Sequence, residues 1–299
     1  MIDFTFLTKE QTNGYNKLEI LKKYGTRCTI TDFARLLGGY ISNEYYSIDG
    51  NSMSEKSGYW WTKTYCGDNQ FVAIDVNGIL DSNYDSVRMN GARPVFDYLF
   101  SKKLEDFFEK EGKLLNEILE VEFGEYPQTI VDKDFSKILE KMYLNKTIKE
   151  TGKSYTTDSV GYRCVAIPFK ARTHIEYEYE GKKYIRFIGD SNCNRIVLTD
   201  RRIVQIGNVY WIEVEPIKWM IDKETGIALS KKILFAGVQF NNIKENTDNF
   251  YDTNIKKYMD DYFSKDIIPS RLGQKNLNND YEKQNPYKFS FDKVSEENI

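Results

Sequence analysis

The stretch Gly58-Tyr59-Trp60-Trp61-Thr62-Lys63-Thr64, followed by Val87-Arg88-Met89-Asn90-Gly91-Ala92-Arg93-Pro94-Val95, decides the reading of the fold. Two adjacent tryptophans open an alternating run and a Gly-Ala-Arg-Pro strand closes it. That pattern specifies a compact, aromatic-rich β module with long polar loops. Between the two stretches, Phe71-Val72-Ala73-Ile74-Asp75-Val76 reads as a strand. Asn77-Gly78 reads as its hairpin turn, because Asn-Gly accepts the positive φ angles of a tight turn. The proline of Arg93-Pro94 confines the last strand, residues 86–95, to an edge or a bulge. Residues 40–57, rich in Asn, Ser and Tyr, read as a loop. Upstream, residues 30–39 predict a helix capped by Thr31 or Asp32, with Phe33, Leu36 and Leu37 on one face and Gly38-Gly39 as its stop. Residues 14–23 carry a shorter amphipathic pattern through Leu18, Ile20 and Leu21.

Downstream, Leu104, Phe107, Phe108, Leu115, Ile118 and Leu119 form one helical stripe over residues 102–119, weakened in the middle by Gly112. Residues 121–128 predict a strand ended by Pro127, and residues 135–143 a helix. A hairpin over residues 175–187 places acids on one arm and bases on the other, so that opposite charges face each other across the pair. Residues 209–221 and 227–230 predict a strand pair with Trp211 and Trp219 as core anchors. Residues 254–263 predict a helix with Ile255, Met259, Tyr262 and Phe263 inward.

A chain of 299 residues is long enough for two cores, since single cores stop growing at about 250–300 residues. The expected organisation is a module at residues 1–100, a linker helix at 101–119, a second α+β domain at 120–268 and a mobile polar tail at 269–299. Lys+Arg of 42 against Asp+Glu of 45 gives a net charge of −3, which supplies no drive toward a polyphosphate and argues against general nucleic-acid binding. The 22 Tyr and 18 Phe fit β-rich packing first and an adhesive surface second. No apolar run reaches membrane-spanning length, and the first ten residues lack the pattern of a secretory signal. The expected location is the cytoplasm, where Cys28, Cys66, Cys164 and Cys193, with no Cys-x-x-Cys pair, read as free thiols.

Several of these segments resemble a bacterial domain of unknown function in the C-type-lectin-like superfamily, which also includes formylglycine-generating enzymes and the variable proteins of diversity-generating retroelements. Thr31-Asp32-Phe33-Ala34, the Trp60-Trp61 stretch, the strand ending at Gly78 and Gly91-Ala92-Arg93-Pro94 are similar to the second half of that family. Gly124-Glu125-Tyr126-Pro127-Gln128, Pro216-Ile217-Lys218-Trp219, Ala228-Leu229-Ser230 and residues 255–263 are similar to its first half. The halves come in reversed order. This implies either a permuted unit in which both parts form one body or two separate α+β domains, and the sizes of the parts favour two domains. The expected fold class is α+β, a C-type-lectin-like module followed by a mixed domain with an antiparallel sheet.

Reactive chemistry is thinly represented. His174 is the only histidine, and no nucleophile motif accompanies it, so a structural or surface role is expected. Thr151-Gly152-Lys153-Ser154 resembles the end of a phosphate-binding loop, but position 147 is Thr147 where that motif needs glycine; a turn followed by an exposed lysine suffices. The resemblance to formylglycine-generating enzymes implies active-site cysteines, for which Cys193 is the most exposed-looking candidate. Asp75, Asp81 and Asp85 lack the spacing of a calcium loop and read as solvated acids. No cofactor or metal is expected.

The remaining candidate is a surface. Tyr45, Tyr46, Tyr59, Tyr65 and Tyr84 lie in or beside loops among Asn, Ser and Asp, a mixture that gives contact area at low entropy cost together with adaptable hydrogen bonds. An ordinary wet loop set from an AT-rich genome has the same composition. With Asp68 and Arg88, these residues form the expected binding site of a non-enzymatic module, bacterial or phage, that engages a protein partner through residues 40–58 and 65–86. One alternative is a phage-encoded inhibitor that occludes a surface of a host defence complex such as CRISPR. The other is an enzyme of the formylglycine-generating type.

Overall fold

A computed structural model describes residues 2–14, 16–39, 41, 57–68, 70–85, 90–99, 102–115, 118–158, 170–241 and 247–267. Three short helices come first: α1 (Lys9–Thr12), α2 (Glu19–Tyr24) and α3 (Asp32–Leu36). Thr31 caps α3 by accepting the Ala34 N–H, as its position predicts. Strands β1 (Trp60–Gly67), β2 (Gln70–Ile74) and β3 (Leu80–Asp85) then form an antiparallel sheet in that order. At the β2–β3 bend only Gly78 of the Asn77-Gly78 pair takes positive φ, at 82°. The Asp75 carboxylate shapes the bend by accepting the N–H groups of Asn77 and Ile79, both at 2.8 Å. A Cβ on Gly78 would lie 2.8 Å from the Arg27 nitrogen, so close approach as well as φ requires glycine there.

The larger sheet has eight strands and is antiparallel. It uses β4 (Val95–Asp97), then, after helix α4 (Lys102–Glu111), the hairpin β5 (Lys113–Leu115) and β6 (Ile118–Ile130). Helix α5 (Lys133–Leu144) precedes β7 (Lys149–Asp158), β8 (Ala171–Tyr179), β9 (Lys182–Ile188), β10 (Val209–Asp222) and β11 (Ile227–Ser230). The described residues end with α6 (Asn254–Tyr258), a π-helical stretch Met259–Phe263 and α7 (Ser264–Asp266). Helices with antiparallel sheets make this an α+β fold.

Three expectations about this region are corrected. The 102–119 helix stops at Glu111, and Leu115, Ile118 and Leu119 lie in the β5–β6 hairpin; a Cβ on Gly112 would meet the Phe108 carbonyl at 2.7 Å. Pro127 does not end its strand, because β6 bulges around it and runs on to Ile130. The final strand of the first segment is β4, with Gly91 and Ala92 making single bridges before it, so Pro94 sits at the sheet margin where a missing N–H is harmless. The expected stretches 40–57, 86–89 and 269–299 lie wholly or largely outside the described residues.

The boundary expected at residues 101–119 is crossed by both sheet and core. β4 pairs with β11, Ala92 donates to the Phe235 carbonyl at 2.8 Å, and one hydrophobic cluster runs from Ile2 to Ile267. Trp60, Trp61 and Trp219 are all 0% exposed within it. Phe4 stacks on Trp219 at 5.9 Å and meets Phe96 and Phe263 edge-on at 5.3 Å, which joins the start, middle and end of the chain. Burying that much aromatic surface in one body outweighs what two smaller cores would gain. A second, smaller cluster packs α5 through Leu139 onto Tyr177, Tyr184 and Trp211 on the other face of the sheet.

One feature of β10 is not visible in its sequence. β6 follows it from Ile212 to Ile221 on one side. On the other side β9 pairs with Val209–Val214 and β11 with Trp219–Asp222. Between those two ladders Pro216 has no N–H to offer a neighbour, so β9 and β11 part around it and leave a notch in the sheet.

Candidate functional site

The platform for the expected binding loops is the β1–β3 sheet. Single bridges join Ile41 to Gly58 and Thr29 to Ser57, and the Gly58 N–H donates to the Cys28 carbonyl at 3.0 Å. Both ends of the 42–56 stretch are therefore clamped beside the buried Trp60-Trp61 pair. The predicted site residues divide among three situations. Tyr59 and Tyr65 are half-buried and pack on the core, and the Tyr65 ring meets Phe71 edge-on at 5.4 Å. Asp68 is exposed in the β1–β2 turn at φ 50°, and Tyr84 lies on β3 opposite Phe71. Tyr45, Tyr46 and Arg88 lie outside the described residues.

The two groups singled out for reactivity are built into packing. His174 is 3% exposed, stacks on Phe187 at 5.4 Å, and its Nε2 lies 2.9 Å from the Thr157 hydroxyl. Burial, with Arg172 nearby, pushes its pKa down to about 3, so the ring is neutral at ordinary pH. Cys193 is 0% exposed, against the expectation of an accessible thiol. Its sulfur accepts the Asp190 N–H at 3.4 Å, and burial pushes the thiol up to about 11, which leaves it protonated and a poor nucleophile. Asp75 serves the β2–β3 bend, and among the described residues no group of three or more His, Cys, Asp or Glu is placed to hold a metal.

A cluster of titratable groups that the sequence did not indicate lies between β7, β8 and the C-terminal helices. The segment Thr151-Gly152-Lys153-Ser154 is not a turn with an exposed lysine. It bulges within β7, where the register shifts between Glu150 and Ser154, and Lys153 is half-buried with its amine 4.8 Å from the Tyr155 ring. Burial pushes Lys153 down to about 8, against the pull of Glu176 and Glu125. Glu176, 0% exposed, accepts from the hydroxyls of Tyr155 at 2.6 Å and Thr151 at 2.7 Å. Lys183 and Glu125 form a buried ion pair. The Asp266 carboxylate accepts the Thr156 N–H at 2.7 Å, and the Tyr258 hydroxyl donates to the Thr156 carbonyl at 2.7 Å.

These last two bonds explain the cluster. β7 is the outer strand of the sheet, and a free edge invites pairing with another chain. Side chains from α6 and α7 occupy the outward main-chain groups of Thr156 and cover that edge. Burial raises Asp266 to about 7, a consequence of placing a carboxyl where a neighbouring strand's carbonyl would otherwise sit.

The expected charge pairing across the β8–β9 hairpin is also corrected. Glu178 and Lys183 are opposite in register, but Lys183 pairs with Glu125 of β6, Lys182 with Glu213 of β10, and Arg186 doubly with Glu140 of α5 at 2.8 and 2.9 Å. The partners on other elements give Lys183 deeper burial and Arg186 a bidentate geometry.

The notch in the large sheet opens into a cleft of about 450 Å³ between β6, β10 and residues 231–234. Compared with protein families, with curated proteins and with solved structures, the chain matches none. No helix among the described residues is long and apolar enough to cross a membrane.

Proposed function

We propose that this chain is a non-enzymatic binding protein, built on a permuted C-type-lectin-like unit, that engages a protein partner through residues 40–58 and 65–86. The carrying observation is the clamp at Ile41–Gly58 and Thr29–Ser57, which fixes both ends of a Tyr-, Asn- and Ser-rich stretch on a buried indole pair. A rigid support beneath a polar, Tyr-rich segment limits the entropy lost on association. The permuted unit is supported by contacts between the two reversed halves: Arg93 Nε donates to the Ser230 carbonyl at 2.9 Å, its guanidinium lies 5.1 Å from the Trp60 ring, and β4 lies beside β11.

The test is a pull-down with the intact chain against the triple variant Tyr45→Ala, Tyr46→Ala, Tyr84→Ala. Loss of the captured protein with an unchanged melting temperature is expected. Equal capture by both proteins overturns the assignment of this surface.

A further inference from the structure

Among the described residues the buried lysines and arginines are Arg35, Arg93, Lys183 and Lys256. Three of them have a carboxylate. Arg35 faces Asp32 at 3.8 Å, Lys183 pairs with Glu125, and Lys256 holds Asp3 at 2.8 Å as well as Asp260. Arg93 is the exception. It is 2% exposed and makes no ion pair among the described residues, and it lies over the Trp60 ring with its Nε bonded to the Ser230 carbonyl. Its Nη1, cut off from solvent, has no hydrogen-bond acceptor.

A guanidinium stays protonated in proteins even where burial pulls its pKa down, as it does here. The charge therefore has to be compensated in the interior. The Trp60 ring offsets part of it. Cys28 is the titratable group that acts on Arg93, and it does not supply the rest. Burial raises its thiol, which stays protonated and lies 3.5 Å from the carbonyls of both Thr29 and Lys231. The other charge acting on that thiol is Lys232, also a cation. A water molecule would satisfy Nη1 and leave the charge as it was.

We propose that a small monovalent anion of chloride size binds against Arg93 where β4 meets β11, as a structural ligand that accepts from Nη1 and neutralises the guanidinium. Size and charge follow from the surroundings. Trp60 and Ser230, the two contacts of the guanidinium group, are fully buried, so an occupant that reaches Nη1 is enclosed and limited to a few atoms. One guanidinium balances one negative charge, and a divalent anion would leave a second charge unpaired in the interior. Arg93 lies outside residues 40–58 and 65–86, so this site and the partner-binding surface stand or fall separately.

Crystals of the full chain grown in sodium bromide test this directly, because bromide takes the place of chloride and is located by its anomalous scattering. A bromide peak at hydrogen-bonding distance from Arg93 Nη1 is expected. Peaks at surface lysines alone, an adventitious ion only, overturn the proposal, as does a water without anomalous signal at Nη1. In solution, exchanging sodium gluconate for sodium chloride at equal ionic strength should raise the melting temperature of the chain by about 2 °C along a saturating curve, and leave that of Arg93→Met unchanged. The same chloride dependence in both proteins, or none in the unaltered chain, overturns the proposal. Should Arg93→Met fail to fold, the anomalous map of the unaltered chain decides.

Discussion

In the β1–β3 sheet each strand pairs with its neighbour in the chain, and one Asx-capped bend sets the β2–β3 connection. In the larger sheet, β4 lies beside β11, and Arg93 reaches Ser230, 137 positions away. Both regions are anchored by fully buried tryptophans with remote partners, Trp61 on Phe240 at 4.9 Å and Trp219 on Phe4 at 5.9 Å, yet only in the second does the strand pairing itself join elements remote in sequence. Local pairing is written in turn chemistry. Remote pairing depends on bulges, prolines and ion pairs that acquire meaning only after the chain has closed on itself.

The comparison breaks most severely at Trp219. Its indole donates to the Phe123 carbonyl at 2.7 Å and its ring touches both Phe4 and Phe96. Trp219→Ala is expected to lower unfolding free energy by about 3–5 kcal/mol in one cooperative denaturant transition. If the β1–β3 segment instead unfolds separately at an unchanged midpoint, the shared core is wrong.

Lys183→Met is next, at about 3 kcal/mol, because it strands Glu125 in the interior. The double variant Lys183→Met, Glu125→Gln should recover most of that loss in the same denaturation assay, since removing both charges removes the desolvation penalty as well.

Titration of stability sharpens the contrast between two buried groups. His174 has its folded pKa depressed to about 3, so the unfolded chain binds its proton more readily. Its contribution is present above the unfolded value near 6.5 and is lost as pH falls toward 3, by up to about 1.4 kcal/mol per pH unit. Asp266, raised to about 7, acts in the opposite sense: the folded state holds its proton more tightly, so stability declines as pH rises from about 4 to 7. Between about pH 4 and 6.5 the two effects oppose each other, so stability from denaturation curves should fall with rising pH across this range in His174→Gln and rise across it in Asp266→Asn.

The smallest effect is expected at Lys182. Its exposed pair with Glu213 contributes under about 1 kcal/mol, so Lys182→Met should leave the denaturation midpoint almost unchanged while Lys183, the adjacent residue, does not tolerate the same replacement.

The local elements were well marked in the residues themselves. The Thr31 cap, the β8–β9 hairpin, whose turn Glu180-Gly181 takes positive φ at both residues, and the Trp211 and Trp219 anchors follow from capping chemistry, alternation and aromatic burial. The 102–119 stripe misled because Leu115, Ile118 and Leu119 satisfy a helical period and a tight hairpin equally well, and the choice between them fell to the packing of Gly112 against Phe108 and Leu119. Cys193 looked exposed because Ser191-Asn192-Cys193-Asn194 is polar on both sides, and sequence neighbours do not report which side chain turns inward. Of the candidate binding surface, Tyr59 and Tyr65 read from the sequence only as residues in or beside loops. Their half-buried position came from the neighbouring Phe71 and the core beneath.

Taken alone, the order of amino acids settled that the β8–β9 and β10–β11 segments are paired strands, where helix α3 begins, which tryptophans are interior and that no strong charge bias draws the chain to a polyanion. Those properties depend on a few adjacent residues and on total composition. Tertiary structure alone decided that β4 and β11 share one sheet, that Lys183 belongs to Glu125, that Asp266 and Tyr258 cover the outer edge of β7, and that a cleft opens beside Pro216. Each of these joins groups far apart along the chain, and their energies depend on desolvation and geometry that exist only after folding.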